Sequence, residues 1–430
     1  MTFLNHWLTV NFVKLGLLRD HDFRQLFVAD SISQIGSQVS LLALPLVAVL
    51  ALHASPLEVG LLTACETAAF LLIGLPAGAW VDRMRRRNVL MVGDLGRALV
   101  LGSVPIAWWA GVLTMPQLYA VALFTGLLTV FFDVAYQSYL PHLVGKEHLV
   151  EGNARLEIVR STTQLGGPTV AGLLIQLLTA PIAVLVDALS FLGSAFFVKL
   201  IRKREALPER HADAHLGREI VEGVRFVFGN RLLRAIAGCT GSANFFGSIV
   251  QAMLILYLAR DLALKPGVIG LFFSITGLGA LAGAFLAAPV ARWLGQGPAL
   301  WVMILVGAFG GLILPLADNG WRLWLAAVGQ VVFGIGVVVY NVTQVSFRQG
   351  ITPDRLLGRM NATMRFLVWG SMPLGGVAGG LLGTWFGVHN TLWIGAVAGL
   401  LPVLFIVLSP LRTMRTLEPD QSDVAQPVPS

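Results

Sequence analysis

Long apolar runs alternate along the chain with short polar breaks. Twelve of these runs, at about 23–50, 57–80, 89–111, 117–140, 156–179, 181–201, 232–259, 267–292, 298–317, 322–347, 361–386 and 389–411, come near or exceed the ~20 residues needed to cross a hydrocarbon core. The pattern predicts an all-α membrane protein with 12 transmembrane helices. The longest polar break, 202–230, falls close to the middle and reads as a linker between a six-helix bundle at 1–201 and a second at 231–417, followed by a short disordered tail at 418–430. Within the linker, Ile220, Val224 and Val227 recur at helical spacing opposite Arg218, Glu222 and Arg225, which predicts an amphipathic helix.

Composition sharpens the membrane reading: 56% of the 430 residues are hydrophobic and 12% charged, against about 25% charged in soluble domains. The net charge of +7 does not point to nucleic acid, because the basic residues cluster between apolar runs, as they do on cytoplasmic loops. With the N-terminus inside, only Arg260, Lys265 and Arg322 of the 30 Lys and Arg face outward. Both termini are therefore expected in the cytoplasm of a multi-pass protein of the inner membrane, which an even number of spans satisfies. The first residues show no basic-apolar-AxA cleavage pattern, so the first span is expected to direct its own insertion. Cys65 and Cys239 lie in apolar runs without metal-ligand spacing, and the eight His fall in expected loops or tails. No metal, no cofactor and no histidine proton relay is expected.

Between the second and third spans stands an island of charge, Gly78-Ala-Trp-Val-Asp82-Arg83-Met-Arg85-Arg86-Arg87. An internal repeat adds to it: Leu149-Val-Glu-Gly-Asn153-Ala154 before span 5 is echoed by Leu357-Gly-Arg-Met-Asn361-Ala362 before span 11. Parallel halves with a substrate site between them near the midplane are a recurring transporter architecture. On these residues the chain resembles the major facilitator superfamily over essentially its whole length, with Arg85 in place of the signature's usual second glycine. Phe23-Arg24-Gln-Leu-Phe27, Ala43-Leu-Pro45-Leu46 and Val186-Asp187-Ala-Leu-Ser190-Phe191 resemble its bacterial macrolide-efflux and enterobactin-exporter-like branch. The resemblance implies the major facilitator fold, two pseudo-symmetric six-helix bundles, with Gly78, Asp82, Arg83 and Arg86 gating the cytoplasmic side. The second-half counterpart at 287–295 keeps only Arg292, and span 4 lacks the arginine usual in proton-coupled drug antiporters of the family. Proton coupling thus does not follow from the resemblance.

Acidic residues inside spans are costly, roughly 2.5–3.5 kcal/mol at the bilayer centre on insertion scales, and tend to face cavities. Glu66 is the deepest and the first candidate proton carrier; Asp30, beside Gln34 on span 1, and Asp133, beside Tyr136 and Gln137 on span 4, follow, either as carriers or as shapers of the inner vestibule. Asp94 and Arg97, three apart, are expected to pair, and Asp187 to hydrogen-bond locally. Gln34, Asn244, Gln251, Asn341 and Gln344 are candidate substrate-binding amides, interleaved with Phe245, Phe246 and Tyr340, or interhelical hydrogen-bonding groups. Glycine pairs four apart, Gly74/Gly78, Gly279/Gly283, Gly307/Gly311 and Gly375/Gly379/Gly383, predict close helix seams.

There is no GxxxxGK[ST] loop for an ATP-driven pump and no clustered nucleophile, base or metal set for a membrane enzyme. The expectation is a secondary transporter, proton-driven and exporting an amphiphilic small molecule of antibiotic or siderophore type by alternating access, acting as a monomer in the bilayer. The alternatives are an uptake permease for a small metabolite and a transporter-like sensor.

Overall fold

The computed structural model describes residues 16–74, 76–81, 83–203, 205 and 216–414. Asp82, Arg204, residues 206–215 and the expected tail lie outside the described residues. The chain is helical throughout the described part: α1 His21–Leu46, α2 Pro56–Ile73, α3 Pro76–Val81, α4 Arg86–Trp109, α5 Met115–Val144, α6 Leu149–Leu178, α7 Ala180–Leu200, α8 Leu216–Gly229, α9 Arg231–Leu256, α10 Pro266–Leu294, α11 Gln296–Leu312, α12 Trp321–Gly350, α13 Asp354–Phe386, α14 Val388–Ala398 and α15 Val403–Val407. Eleven described helices are long and apolar enough to span a membrane. The expected fifth span lies in α6, a helix of 30 residues that is not among the eleven; Glu151, Arg155, Glu157 and Arg160 occupy its first turns, and Thr162, Thr163, Gln164 and Gln176 dilute the rest.

Two expected spans are shaped differently from a single apolar rod. The second divides into α2 and α3 around Gly74, because Pro76 has no N–H to continue the ladder and is suited to a first helical turn. The twelfth breaks after Ala398 and resumes at Val403. The helices also overrun the expected loops, so that His142 sits in the last turn of α5 and His389 in the first turn of α14, stacked on Tyr257 and bonded to the Pro315 carbonyl at 2.8 Å. These histidines are not loop residues, contrary to expectation.

Packing repeats with a twofold logic. In the first half α1 packs on α6 and α7, α4 on α5 and α7, and α2 on α5; in the second, α9 packs on α13 and α14, α11 on α12 and α14, and α10 on α12. Across the halves α2 meets α13 and, equivalently, α6 meets α10. A second repeat was not recognised from sequence. Leu52-His53-Ala54-Ser55-Pro56 and Leu262-Ala263-Leu264-Lys265-Pro266 each follow a π-helical turn, Val47–Ala51 and Tyr257–Asp261. Each puts a non-glycine residue in the left-handed region, His53 at φ 52° and Ala263 at φ 50°. The two π turns pack on one another, and Arg260 Nη1 donates to the Ala54 carbonyl at 3.4 Å.

The apolar core is single at one end of the molecule and double at the other. At the end bearing the π turns, Val47, Leu62, Leu118 and Phe191 of the first half share one cluster with Leu256, Phe272, Leu323 and Leu392 of the second. At the opposite, linker end, Phe23, Leu90, Tyr139 and Leu156 form a first-half core, and Ile236, Leu300, Phe347 and Met364 a separate second-half core. Glycines make the joined end possible. A Cβ on Gly60 would stand 2.6 Å from the Gly376 carbonyl oxygen, and one on Gly270 would stand 3.0 Å from Gly172 Cα. Toward the linker end, Gly78 and Gly166 have open space where a Cβ would go.

The glycine seams divide accordingly. Gly279 and Gly283 lie against Val331 and Ile335 of α12, Gly307 against Gly336, and Gly375 and Gly379 against Phe245 and Ile249 of α9. The Gly74/Gly78 pair forms no seam with another helix. The linker helix α8 also differs from expectation: its packed face is Gly223, Phe226 and Val227 against α13, with Val224 exposed. Glu222, expected on a solvated face, is bonded to Arg359 and lies 3.9 Å from Arg355.

Candidate functional site: the interior of the first half and the cleft beside it

The first half keeps its charges around one arginine. Arg97 on α4 donates to Asp94 at 2.6 Å, while Ser194 on α7 donates to the other oxygen of Asp94 at 2.7 Å. The guanidinium lies between the rings of Phe132 and Phe191, 4.3 and 4.1 Å from their centroids, so both its faces are covered, while Nε finds no partner among the described residues. Asp94 and Arg97 are both fully buried, and the pairing expected from their spacing is present. Asp187 is buried too and accepts from the Ser190 hydroxyl at 3.0 Å.

Asp30 and Asp133 belong to the same neighbourhood. Asp30 on α1 is buried, with Gln34 and Tyr136 beside it and the carboxyls of Asp133 and Asp94 within electrostatic reach. The Tyr136 hydroxyl is buried beside this carboxyl. Asp133 is different: although well inside α5, its side chain is exposed, as is that of Gln137. Arg97, Arg160 and Arg365 surround it at electrostatic range, and Arg160 and Arg365 are themselves exposed. Arg160 lies on α6 of the first half and Arg365 on α13 of the second, so a carboxylate faces arginines from both halves. What distinguishes these two arginines is the helix face opposite Asp133, which spacing within one helix does not disclose.

Glu66 stands apart on α2. It is half-buried, with no hydrogen bond or ion pair to a described residue, and the α2 backbone at this point is in close contact with Gly126 of α5. One turn further, Phe70 meets Trp369 of α13 with centroids 4.3 Å apart. The expected proton sites therefore form two groups: Asp30 with Asp133, and Glu66 alone on α2, where that helix packs on α5.

The amides are similarly divided. Asn244 donates to the Val368 carbonyl at 3.0 Å, an interhelical bond between α9 and α13. Gln344 is buried and donates to Asn341 at 2.8 Å, leaving its own carbonyl oxygen unpartnered among the described residues. Asn341 is exposed and lines a cavity of about 320 Å³ with Val338, Val342, Val345 and Ser346. Gln251 is exposed and Gln34 half-buried beside Asp30. Tyr340 is buried, its hydroxyl bonded to Thr240 at 2.7 Å, which makes it a packing residue.

In the charged island, Arg86 and Arg87 engage their own half. Arg86 lies 3.5 Å from Glu205, and Arg87 donates to the Val198 and Lys199 carbonyls at 3.3 and 2.6 Å. Arg87 thus caps the C-terminal end of α7, where carbonyls lack intrahelical donors; it does more than set topology. Arg83 is exposed and Asp82 lies outside the described residues. Arg85, in the place of the signature's glycine, has φ −69° and needs no glycine, whereas its second-half counterpart Gly295 has φ 89°.

The two bundles are joined at one end by a shared apolar core, and the family and relatives the chain matches make it a transporter of the major facilitator superfamily, not an enzyme. The chain belongs to the transmembrane secretion effector family of that superfamily, whose model matches residues 13–429. It is 28% identical over 387 residues to the multidrug efflux pump Tap of Mycolicibacterium fortuitum, covering 86% of this chain and 93% of that one. It is also 28% identical over 363 residues to the enterobactin exporter EntS of Escherichia coli O1:K1, covering 81% and 82%. Among solved structures, a bacterial homologue of the iron transporter ferroportin in its inward-facing state aligns with a TM-score of 0.75 at 16% identity, over 93% of this chain and all of that one.

Proposed function

We propose that the chain exports an amphiphilic small molecule from the cytoplasm, driven by the proton gradient, by alternating access between its two halves. The observation that carries the reading is the asymmetry of the core, one shared cluster at the π-turn end and two separate clusters at the linker end. With the cation-rich linker end in the cytoplasm of a multi-pass inner-membrane protein, this is an inward-open arrangement whose outer side is sealed by glycine seams. Rocking about the α2–α13 and α6–α10 contacts would exchange the open and closed ends. The relatives named as an efflux pump and a siderophore exporter support the outward direction and the amphiphilic cargo.

In this reading Asp133 and Glu66 take and release the proton. Asp133 faces the cleft between Arg160 and Arg365, so its charge bears on both halves at once, and Asp30 shares its site. Glu66, without a partner among the described residues, lies on α2, the helix that rocks against α13. Asn341 and Gln251 offer neutral polar contacts to substrate; Gln34 and Gln344 support the carboxylate and Asn341. Arg86 secures the charged island to the linker, and Asp82, Arg83 and Gly78 form the remainder of the inner gate.

The test is accumulation of a panel of labelled amphiphilic compounds in cells stripped of their own efflux pumps, expressing the wild type, Glu66→Gln or Asp133→Asn, with and without a protonophore. Accumulation lowered by the wild type and restored by the protonophore and by either variant is expected. Raised accumulation would replace export with uptake, and protonophore-resistant export would remove the proton.

A further inference from the structure

A second large cavity lies away from the cleft. It has a volume of about 1260 Å³ and opens between the start of α9, the end of the linker helix at Phe228, and the broken twelfth span. That is larger than the roughly 300–1,000 Å³ of an ordinary small-molecule site. Its walls are apolar, with Leu404, Phe405 and Leu408 all substantially exposed. The groove owes its depth to two local features. Span 12 interrupts its helix between Ala398 and Val403, and Gly238 lets the Phe405 ring approach α9 so closely that a Cβ there would stand 2.5 Å from Cδ1.

Three arginines line the same groove: Arg231, Arg234 and Arg412. Arg234 donates to the Phe228 carbonyl at 3.3 Å. Arg231 and Arg412 are exposed and make no ion pair or hydrogen bond with any described residue. No acidic residue lines the groove among the described residues. The groove therefore combines uncompensated guanidinium groups at the linker end with an apolar slot running along a membrane-spanning surface.

We propose that this groove is a binding site for an anionic glycerophospholipid of the linker-side leaflet, independent of the transport site. The arginine forks match a phosphate diester geometrically and electrostatically, and basic pockets between membrane helices at this depth are suited to acidic headgroups. The acyl chains lie along Leu404, Phe405 and Leu408. A lipid so placed touches the end of the linker helix, α9 and the last span together.

The experiment is native mass spectrometry of the full-length, delipidated protein titrated with palmitoyl-oleoyl phosphatidylglycerol or the matching phosphatidylethanolamine. At least tenfold tighter retention of phosphatidylglycerol is expected. Arg231→Gln/Arg412→Gln should bring the two lipids to parity while the melting temperature stays at the wild-type value. Arg19→Gln/Arg24→Gln, which removes two exposed cations remote from the groove, should leave the preference intact. Equal retention of the two lipids by the wild type would overturn the site, as would a preference surviving in the groove variant or lost equally in the remote one. Truncation after Met414 distinguishes the remaining occupant: an unchanged preference supports lipid, whereas a tenfold gain would mean that the acidic 415–430 segment fills the groove. None of these readouts involves substrate, so failure here leaves the transport reading standing, and the reverse.

Discussion

The two halves share one helix arrangement but not one interior chemistry. The first buries Asp30, Asp94, Arg97 and Asp187 and presents Asp133 and Glu66 partway along helices. In the second, the only acids between residues 231 and 417 are Asp261, Asp318 and Asp354, all at helix ends or in loops; its mid-span polar groups are amides and hydroxyls. Because the backbone repeat is preserved down to paired π turns, the fold does not dictate the difference. Acidic charge, which costs several kcal/mol to insert, is concentrated on one side; on the proposed reading the first half carries the proton-binding carboxyls, and the second supplies Arg365 and a set of amides and hydroxyls that move against them.

The most severe way to break this comparison is at Arg97. Arg97→Leu would leave Asp94 buried without its partner and vacate the slot between Phe132 and Phe191. Removing one member of a buried pair costs about 3–5 kcal/mol, enough to abolish folding. The expected outcome is loss of monodisperse protein by fluorescence-detected size exclusion, with Arg97→Leu/Asp94→Leu recovering a substantial part. A well-behaved single variant would show that Asp94 is already neutral without the arginine.

Next in size is Asp133→Asn. The cluster keeps its shape, since Asp133 is exposed and bonded to no described group, yet the charge facing Arg160 and Arg365 is gone. Gradient-driven export should fall at least about tenfold, equivalent to ~1.4 kcal/mol on the rate-limiting barrier, with expression and melting temperature unchanged. The matched change in the second half, Gln344→Ala, should act on substrate instead. It frees Asn341 from its 2.8 Å bond, worth about 0.6 kcal/mol inside a membrane, so the half-saturating substrate concentration should shift by about threefold at an unaltered maximal rate. A larger coupling defect in Gln344→Ala than in Asp133→Asn would reverse the division of labour.

Much of this was legible before the structure. Apolar run lengths placed the helices, the charged island and the Asn153/Asn361 repeat exposed the two halves, and a spacing of three identified the Asp94–Arg97 pair. The failures share one physical cause: a sequence shows what lies along a helix but not what lies across from it. Arg160 and Arg365 meet Asp133 only because α6 and α13 face α5 from different halves, and which partners Asn244 and Tyr340 bond across helices depends on neighbours a hundred or more positions away. The linker helix presented an amphipathic stripe, but Gly223 allowed an approach to α13 that rotated Glu222 onto Arg359. The Leu52/Leu262 repeat was readable, through its shared Leu, Pro and Gly spacing, yet it became conspicuous only once both segments adopted the same left-handed turn.

The smallest expected effect tests whether second-half polar groups are structural. Tyr340 Oη and Thr240 Oγ1 form a buried bond between α12 and α9, and the aromatic ring fills space beside Cys239. Tyr340→Phe keeps the ring and removes one hydroxyl, leaving Thr240 still bonded to the Ile236 carbonyl at 2.9 Å, so no donor is stranded. A typical net hydrogen bond contributes about 1 kcal/mol; a small fall in melting temperature with unchanged transport and unchanged protonophore sensitivity is therefore expected. If this substitution instead altered the pH dependence of export, proton handling would extend into the second half, and the contrast between the halves would have to be redrawn around α9 and α12.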